Sequence, residues 1–539
     1  LCIGLFSFRD YGKSRILHFS ILASLARGIV QKTGLRSRCG SLDWYPYPSF
    51  PSGVNRMNVR ATEAEAAHVG EGAHGEVESV VSSLVARARA AQRIFEAAGQ
   101  EVLDAAAAAA AWAIMEPGRN RQLAELAVRD TGLGNADDKF RKNYRKTLGL
   151  LRDLHGQKTT GVIERHDASG IVEIARAVGV VAAITPSTNP AATPVNKIVN
   201  ALKCGNAVIV APSPKGYSSC ALLIDFIHAQ FAKVGLSPDL VQMLPAPISK
   251  AATAELMRRC DLVVATGSQA NVRMAYASGT PAFGVGAGNV ASIVTASADL
   301  HDAAHKIARS KTFDNATSCS SENSMVIEAA VYADMLAELT ACGGVLLDAA
   351  QKARLQDTMW SNGKLSAHCT ARSATEIARA AGLDEIAARE PAFLMVEETG
   401  FGADFPFSGE KLAPVLTVYR AQNFDGAADI VRGIYAYMGA GHSVGLHSTD
   451  PEQALELAAT LPVARVIVNQ AHCLATGGNF DNGLPFSLSM GCGTWGRNNF
   501  SSNLNFHHYL NITRVAYPIE EHVPELDDVL GDFFARYGK

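Results

Sequence analysis

The fold of this chain is decided by residues 178–211, which read VGVVAAITPSTNPAATPVNKIVNALKCGNAVIVA. Val178–Ile184 is a short apolar run, Thr193–Cys204 has the length of a helix, and Ala207–Ala211 is apolar again. Short apolar runs that alternate with helices are typical of strands covered on both faces of a parallel sheet. The stretch therefore predicts a strand–helix–strand unit.

The same alternation extends in both directions and divides the chain into two parts. It continues to Ser278, and a second series follows Cys319. Residues 75–155 favour helices because they are rich in alanine, and Thr160–Ile171 predicts a hairpin. We therefore predict an α/β fold with two parallel-sheet lobes that meet near residues 280–325, where small-molecule sites usually lie.

Composition excludes several classes of protein. The chain has 539 residues, 48% apolar and 19% charged, which is too apolar for intrinsic disorder. The net charge of −3 disfavours binding to nucleic acid. The ten cysteines form no CxxC pair and have no histidine at zinc spacing, which indicates a reduced, cytoplasmic protein without a structural metal. The sequence has no 18-residue apolar run, so we expect no membrane span.

The first 56 residues differ in charge from the rest of the chain. They carry eight basic residues against two acidic ones. Because Met57 opens a segment that is typical of an ordinary start, we interpret residues 1–56 as an extension without a fold of its own. A basic amphipathic targeting segment is the alternative.

Three polar turns follow strands of the first lobe, although no GxGxxG fingerprint is present. They are Thr185–Pro190, Pro212–Gly216 and Thr266–Ser268. Ligands bind at the carboxyl ends of strands in open parallel sheets, and the last turn opens a helix whose N–H groups suit a phosphate. Each turn alone is also typical of an ordinary connection, but three at one sheet edge favour a dinucleotide site.

Cys319 is the strongest candidate nucleophile. It lies in the polar stretch Lys311–Asn323, between a predicted helix and a predicted strand. Structural cysteines usually have apolar neighbours, whereas reactive ones lie where amides and charges can support a thiolate. The setting therefore favours a catalytic role for Cys319.

These features resemble the CoA-acylating branch of the aldehyde dehydrogenase family. The similarity keeps the family order over residues 75–520 and excludes everything before residue 57. The stretches that carry it are Ile184–Pro190, Phe283–Asn289, Phe313–Glu322, Gly409–Val415, Gly441–His447 and Gly491–Gly496.

The resemblance implies a division of the chain. Two doubly wound lobes are expected, a Rossmann-like cofactor lobe and a catalytic lobe, with a small β-arm for oligomerisation. We expect a homodimer or homotetramer. The boundaries predicted are 1–56 for the extension, 57–310 for the helices and cofactor lobe with an arm at 159–177, 311–500 for the catalytic lobe, and 501–539 for the oligomerisation segment and tail.

The resemblance also implies roles for individual residues. Cys319 attacks the aldehyde carbonyl, the side-chain amide of Asn189 and the Cys319 N–H hold the oxyanion, and His442 accepts a proton. A satisfied core histidine is the alternative for His442. Glu410 matches the carboxylate that holds the nicotinamide ribose. The other residues expected to bind the cofactor are Thr185, Pro186, Ser187, Ala211, Pro212, Ser213, Lys215, Thr266, Gly267, Ser268 and Gly286.

The segment Pro281–Asn289 has no acid, although hydrolytic relatives carry a glutamate general base there. Water without a placed base is a poor nucleophile toward a thioester, whereas the thiol of coenzyme A is a good one. We therefore predict an acyl-CoA product. The alternatives are a hydrolytic enzyme whose base lies elsewhere, such as Glu410, and a non-catalytic binding protein.

The prediction of the cofactor rests on one turn, and the prediction of the substrate rests on the resemblance. Ala211–Lys215 offers Ser213 and Lys215 to a 2′-phosphate and no carboxylate to repel it, which favours NADP over NAD. Polar residues around Cys319 favour a small polar aldehyde. The resemblance alone suggests sulfoacetaldehyde, with acetaldehyde or succinate semialdehyde as alternatives. A sulfonate needs a fixed cation, and Arg273, Arg497 and Lys197 lie near the matched motifs.

Overall fold

The computed structural model describes residues 71–539. The extension predicted for residues 1–56, its possible targeting role and the start predicted at Met57 lie outside the described residues. Among the described helices, none is long and apolar enough to cross a membrane.

Four helices open the described chain, as predicted. The second of them buries one alanine-rich face, because small side chains allow the neighbouring helices to approach closely. The Glu116 carboxylate caps the third by accepting from the Gly118 and Arg119 N–H groups. The helices are α1 (Glu71–Glu96), α2 (Gln100–Met115), α3 (Pro117–Thr131) and α4 (Ala136–Leu154).

The first lobe is built on a five-stranded parallel sheet in the order β5-β4-β3-β6-β7. Every residue of β3 and β4 is buried, as expected for strands with helices on both faces. The elements are β3 (Val180–Thr185), α5 (Ala192–Lys203), β4 (Ala207–Pro212), α6 (Tyr217–Val234), β5 (Val241–Met243), α7 (Lys250–Arg259), β6 (Leu262–Thr266), α8 (Gln269–Ala277) and β7 (Ala282–Val285).

The strand order reverses between β3 and β6, which lie side by side although β4 and β5 separate them in sequence. The connections leave these two strands in opposite directions, so a crevice opens at their carboxyl ends. The buried Lys197 of α5 joins the two ends, because its Nζ donates to the carbonyls of Ile184 (2.6 Å) and Val264 (2.9 Å). Lys197 therefore has a structural role as a buried hydrogen-bond donor, and its burial lowers its pKa well below the usual value.

The second lobe is built on a seven-stranded parallel sheet in the order β10-β13-β14-β9-β8-β15-β16. Its elements are β8 (Val290–Val294), α9 (Leu300–Thr312), β9 (Glu322–Glu328), α10 (Tyr332–Ala341), β10 (Gly344–Leu346), α11 (Ala349–Met359), β11 (Trp360–Ser361), β12 (Lys364–Leu365), α12 (Ala374–Ala380), α13 (Asp384–Ala387), β13 (Phe393–Glu397), β14 (Val415–Ala421), α14 (Phe424–Tyr437), β15 (Val444–His447), α15 (Pro451–Thr460), β16 (Val466–Val468) and α16 (His472–Ala475).

The lobe boundary predicted after residue 310 does not coincide with the change of sheet. β7 belongs to the first sheet and β8 already to the second, so the change falls between Val285 and Val290. The sequence of this region has glycines at 284, 286 and 288, which interrupt the apolar pattern. The pattern is therefore typical of a glycine-rich turn, and it does not indicate the end of one strand and the start of another. Later in the chain, Phe486 and Tyr509 return to the core of the first lobe.

The predicted hairpin is present, and it belongs to a small antiparallel sheet that we call the arm sheet. β1 (Gly161–His166) and β2 (Ile171–Ala177) pair in antiparallel fashion around a turn at residues 167–170. β17 (Leu510–Ala516) adds to the other edge of β2, which makes a three-stranded sheet. α17 (Leu526–Tyr537) follows, with several large apolar side chains exposed.

Candidate active site

The crevice at the carboxyl ends of β3 and β6 contains a cavity of about 310 Å³, which we call the central cavity. The turn after β3, the turn after β6 and the turn that carries Cys319 all line it. The structure thus brings together residues that are distant in sequence. The predicted site residues that line this cavity are Pro186, Ser187, Asn189, Thr266, Gly267, Ser268, Gly286, Cys319 and Glu410.

The backbone before Cys319 is held in an unusual conformation. Asp314, Asn315 and Ala316 are three successive residues with positive φ, between 51° and 57°. Such backbone is costly for residues other than glycine and persists only where its surroundings enforce it. Here the buried Asp314 carboxylate accepts from the Nζ of Lys139 (3.1 Å) and of Lys142 (2.5 Å), which holds the turn against α4.

Cys319 is half-buried, and its Sγ lies 3.5 Å from Nε2 of His442. Burial and the neighbouring carboxyl of Glu410 raise the pKa of Cys319 to about 12. Burial and the positive charge of Arg465 lower the pKa of His442 to about 3. The resting pair is therefore a neutral thiol beside a neutral imidazole.

The side-chain amide of Asn189 has a fixed orientation. Its Oδ1 accepts from Nζ of Lys142 at 2.9 Å. Because the oxygen end is held by this ammonium, the Nδ2 end is left to donate to a ligand. The same lysine bonds to Asp314, so Lys142 connects the Asn189 amide to the Cys319 turn.

Glu410 lines the central cavity from the second lobe. Its Oε1 accepts from the Gly288 N–H at 3.2 Å. Burial raises the pKa of Glu410 to about 8, although the Gly288 N–H, Lys311 and Lys411 oppose that shift. Among the described residues that line the central cavity, Glu410 alone is acidic.

A second space, a groove of about 200 Å³, is lined by other residues that the sequence predicts to bind the cofactor. Thr185, Ala211, Pro212 and Ser213 line it. The Thr185 Oγ1 and Ser213 Oγ atoms are buried without a hydrogen-bond partner. Because unpaired buried hydroxyls are unfavourable in a folded protein, these two atoms fit a ligand that bonds to them. Lys215 is exposed and lines neither space.

None of the three basic residues considered for substrate binding lines the central cavity or the groove. Arg273 and Arg497 are exposed on the surface. Lys197 is the buried donor of α5 that joins the ends of β3 and β6. Sequence reasoning missed Lys142 and Arg465. Buried Arg465 donates to the His442 carbonyl at 3.1 Å and to the Gly491 carbonyl at 3.0 Å. These bonds hold the backbone of His442 in place.

Comparisons with known proteins identify the family. A model described as the aldehyde dehydrogenase family matches residues 54–382. A sulfoacetaldehyde dehydrogenase (acylating) of Cupriavidus necator is 72% identical over 459 residues, covering 85% of this chain and 93% of that protein. A protein of the same description from Bilophila wadsworthia is 40% identical over 85% of this chain and 99% of its own length.

A solved structure gives the same result for the fold. The acetylating aldehyde dehydrogenase of Geobacillus thermoglucosidasius superposes with a TM-score of 0.80 at 32% identity, covering 84% of this chain and 99% of that one. The predicted fold class and the predicted resemblance are both confirmed. The chain therefore belongs to the aldehyde dehydrogenase family, within its branch of acylating enzymes.

Proposed function

We propose that this protein converts a small aldehyde, coenzyme A and NAD(P)+ into an acyl-CoA, NAD(P)H and a proton, with sulfoacetaldehyde as the substrate. The observation that carries the proposal is the half-buried Cys319 thiol, 3.5 Å from the His442 imidazole in a cavity shared with Asn189. The substrate is inferred from the Cupriavidus necator relative at 72% identity.

Cys319 supplies the nucleophile. With its Nδ1–H donating to the Ser443 Oγ, 2.7 Å away, His442 offers Nε2 as the acceptor of the thiol proton. The sulfur then bonds to the aldehyde carbon and forms a thiohemiacetal. The preceding turn, held by Asp314, fixes the direction from which the sulfur approaches.

Asn189 holds the oxygen that becomes negative in this step. Its free Nδ2–H and the Cys319 N–H are the two donors that we assign to the oxyanion. Lys142 is a positioning residue, because its bond to Oδ1 keeps the Nδ2 end directed at the ligand. This preorganisation avoids reorienting the amide during the reaction.

The cofactor-binding residues that we propose line the central cavity and the adjoining groove. When bound, the nicotinamide cofactor accepts the hydride from the aldehyde carbon. The unpaired hydroxyls of Thr185 and Ser213 fit ribose or phosphate oxygens, and the Ser268 turn at the N-terminus of α8 fits a phosphate. Glu410 is placed to hold a ribose hydroxyl. We retain NADP as the proposed preference, supported by Ser213 and by the exposed Lys215.

Omission of coenzyme A tests the proposed reaction. We expect product formation to fall at least ~100-fold without coenzyme A, because a placed general base contributes roughly 10²–10⁴-fold and water lacks one here. The measurement is NAD(P)H formation with a panel of aldehydes, with each nicotinamide cofactor, with and without coenzyme A, together with mass spectrometry of the product.

Free acid formed equally fast in both conditions would favour hydrolysis with Glu410 as the base. In that case the Glu410→Gln variant would lose acid formation. If the reaction is acylating as proposed, the variant instead weakens cofactor binding and still forms acyl-CoA.

The pKa of Glu410 predicts a pH-dependent effect on the thiol. Below about pH 8 the carboxyl is mostly neutral, and above it the negative charge disfavours the Cys319 thiolate. Alkylation of Cys319 by iodoacetamide should therefore be equally fast in Glu410→Gln and wild type at pH 7, and roughly three- to tenfold faster in the variant at pH 9.5. The rate is measured by mass spectrometry of the Cys319 peptide.

Gln is the matched control for shape, since its amide oxygen can still accept from the Gly288 N–H. A constant ratio between variant and wild type from pH 7 to pH 9.5 would contradict the assignment of this titration to Glu410.

We also propose a homo-oligomer in the cytoplasm. Val162 of the arm sheet is exposed, and so are Tyr517 and Ile519, which follow its last strand. The helix α17 exposes Val529 and Phe533. Exposed apolar side chains of this kind are typical of a surface that a second copy covers. The cysteines of the described part are all free thiols, which supports a reducing compartment.

A further inference from the structure

A small cavity with basic walls lies next to the central cavity. Lys142, Arg145 and Lys146 of α4 line one side of it, and Ser318 and Ser320, the neighbours of Cys319, line the other. We call it the basic cavity. It shares Asn189, Ser318, Leu488 and Met490 with the central cavity, so the two spaces adjoin at the proposed oxyanion donor.

The size of the basic cavity limits what can enter it. Its volume is about 40 Å³, which corresponds to roughly three water molecules. A compact head such as a sulfonate, with three oxygens around one sulfur, has this size. A long alkyl tail does not fit.

The charges around the cavity favour an anion. No Asp or Glu lines it in the described chain. Lys142 shares Asp314 with Lys139, which leaves this group of three with one net positive charge. Lys146 already donates to the carbonyls of Gly477 and Gly478. Its pKa falls to about 7 because of burial and the nearby Arg145 charge, so a bound anion would restore its charge.

Arg145 is the cation with unused donors. Its guanidinium donates to the Asn479 side chain and, at 3.5 Å, to the Leu474 carbonyl, and it lies over the rings of Phe480 and Phe486. These contacts use two of its five N–H groups and fix its plane. A planar guanidinium matches two oxygens of a sulfonate at once.

Building on the proposed function, we propose that the basic cavity is the subsite for the anionic head of the aldehyde, with Arg145 as the donor that selects a sulfonate. One methylene separates the carbonyl carbon from the sulfur in sulfoacetaldehyde. Asn189 and Ser318 border both spaces, and Cys319 lines the central cavity beside them. A sulfonate in the basic cavity therefore leaves the carbonyl between Asn189 and Cys319.

Ethanesulfonate, which has no aldehyde group, tests the subsite directly. We expect it to inhibit propionaldehyde oxidation by the wild-type enzyme competitively, and the Arg145→Met variant to raise its inhibition constant about 10- to 100-fold, the range for a charge-assisted hydrogen bond. The ratio of kcat/KM for sulfoacetaldehyde to that for propionaldehyde should fall by the same factor. Arg145→Lys should restore part of the ratio, since it keeps the charge but not the planar fork.

Arg152→Met is the matched control. Arg152 lies on the same helix and over the same two rings, but it is exposed and does not line the cavity. Its ratio should stay at the wild-type value, and thermal unfolding of each variant excludes misfolding. Equal changes in Arg145→Met and Arg152→Met would overturn the inference.

The two proposals fail in different ways. If wild type oxidises propionaldehyde only with coenzyme A but ethanesulfonate does not compete, the subsite is wrong and the reaction stands. If no aldehyde is oxidised, yet calorimetry detects ethanesulfonate binding that Arg145→Met abolishes, the subsite stands and the proposed reaction is wrong.

Discussion

Replacing Cys319 by serine should reduce kcat/KM for aldehyde oxidation by at least ~10⁴-fold, the scale seen when a nucleophile is removed. The hydroxyl is the same shape, but it ionises far less readily than a thiol. His442, whose pKa burial lowers to about 3, would then have to accept a proton from a hydroxyl, which is a weaker acid than the thiol. Initial rates of NAD(P)H formation measure the loss, and mass spectrometry should find no acyl adduct on the protein.

Cys342→Ser is the matched control for that experiment. Cys342 is also a half-buried free thiol, at the end of α10, and it lines none of the cavities of the site. Its variant should retain wild-type turnover and lose one site of iodoacetamide labelling. If Cys319→Ser kept more than about a hundredth of the activity, the nucleophile would have to be another group.

The strand–helix–strand unit of residues 178–211 was predictable because several local signals agree. The apolar runs are short, the segment between them has the length of a helix, and polar turns follow each strand. The carboxyl-end rule then placed the Thr185 and Thr266 turns at one sheet edge. In the structure β3 and β6 are neighbours, so the two turns lie side by side at that edge.

The basic face of α4 was not predictable by the same reasoning. Lys139, Lys142 and Lys146 follow helical spacing on one face, and patterning rules place lysines toward solvent. In the structure this face is buried. The compensation comes from Asp314, which is distant in sequence, and from the carbonyls of Gly477 and Gly478. A single helix carries no signal for such partners.

The Asn189 side-chain amide is the site of the second large expected effect. Asn189→Ala removes one oxyanion donor, and we expect kcat to fall about 10²- to 10³-fold, as for other enzymes that lose such a donor. KM for the aldehyde should change little, because the donor acts on charge that develops only in the transition state. The burst of NAD(P)H formation in the first turnover isolates this step from product release.

Alkylation by iodoacetamide separates this role from a general loss of structure. It requires the Cys319 thiolate but develops no carbonyl oxyanion, so its rate should be the same in Asn189→Ala and wild type. Asn143→Ala is the matched control, because Asn143 is a buried amide on α4 that bonds to Asn120 and lines none of the cavities. It should lower the unfolding temperature without slowing the burst. If Asn189→Ala slowed alkylation and the burst equally, Asn189 would instead be supporting the Cys319 turn, through the same Lys142 that holds both.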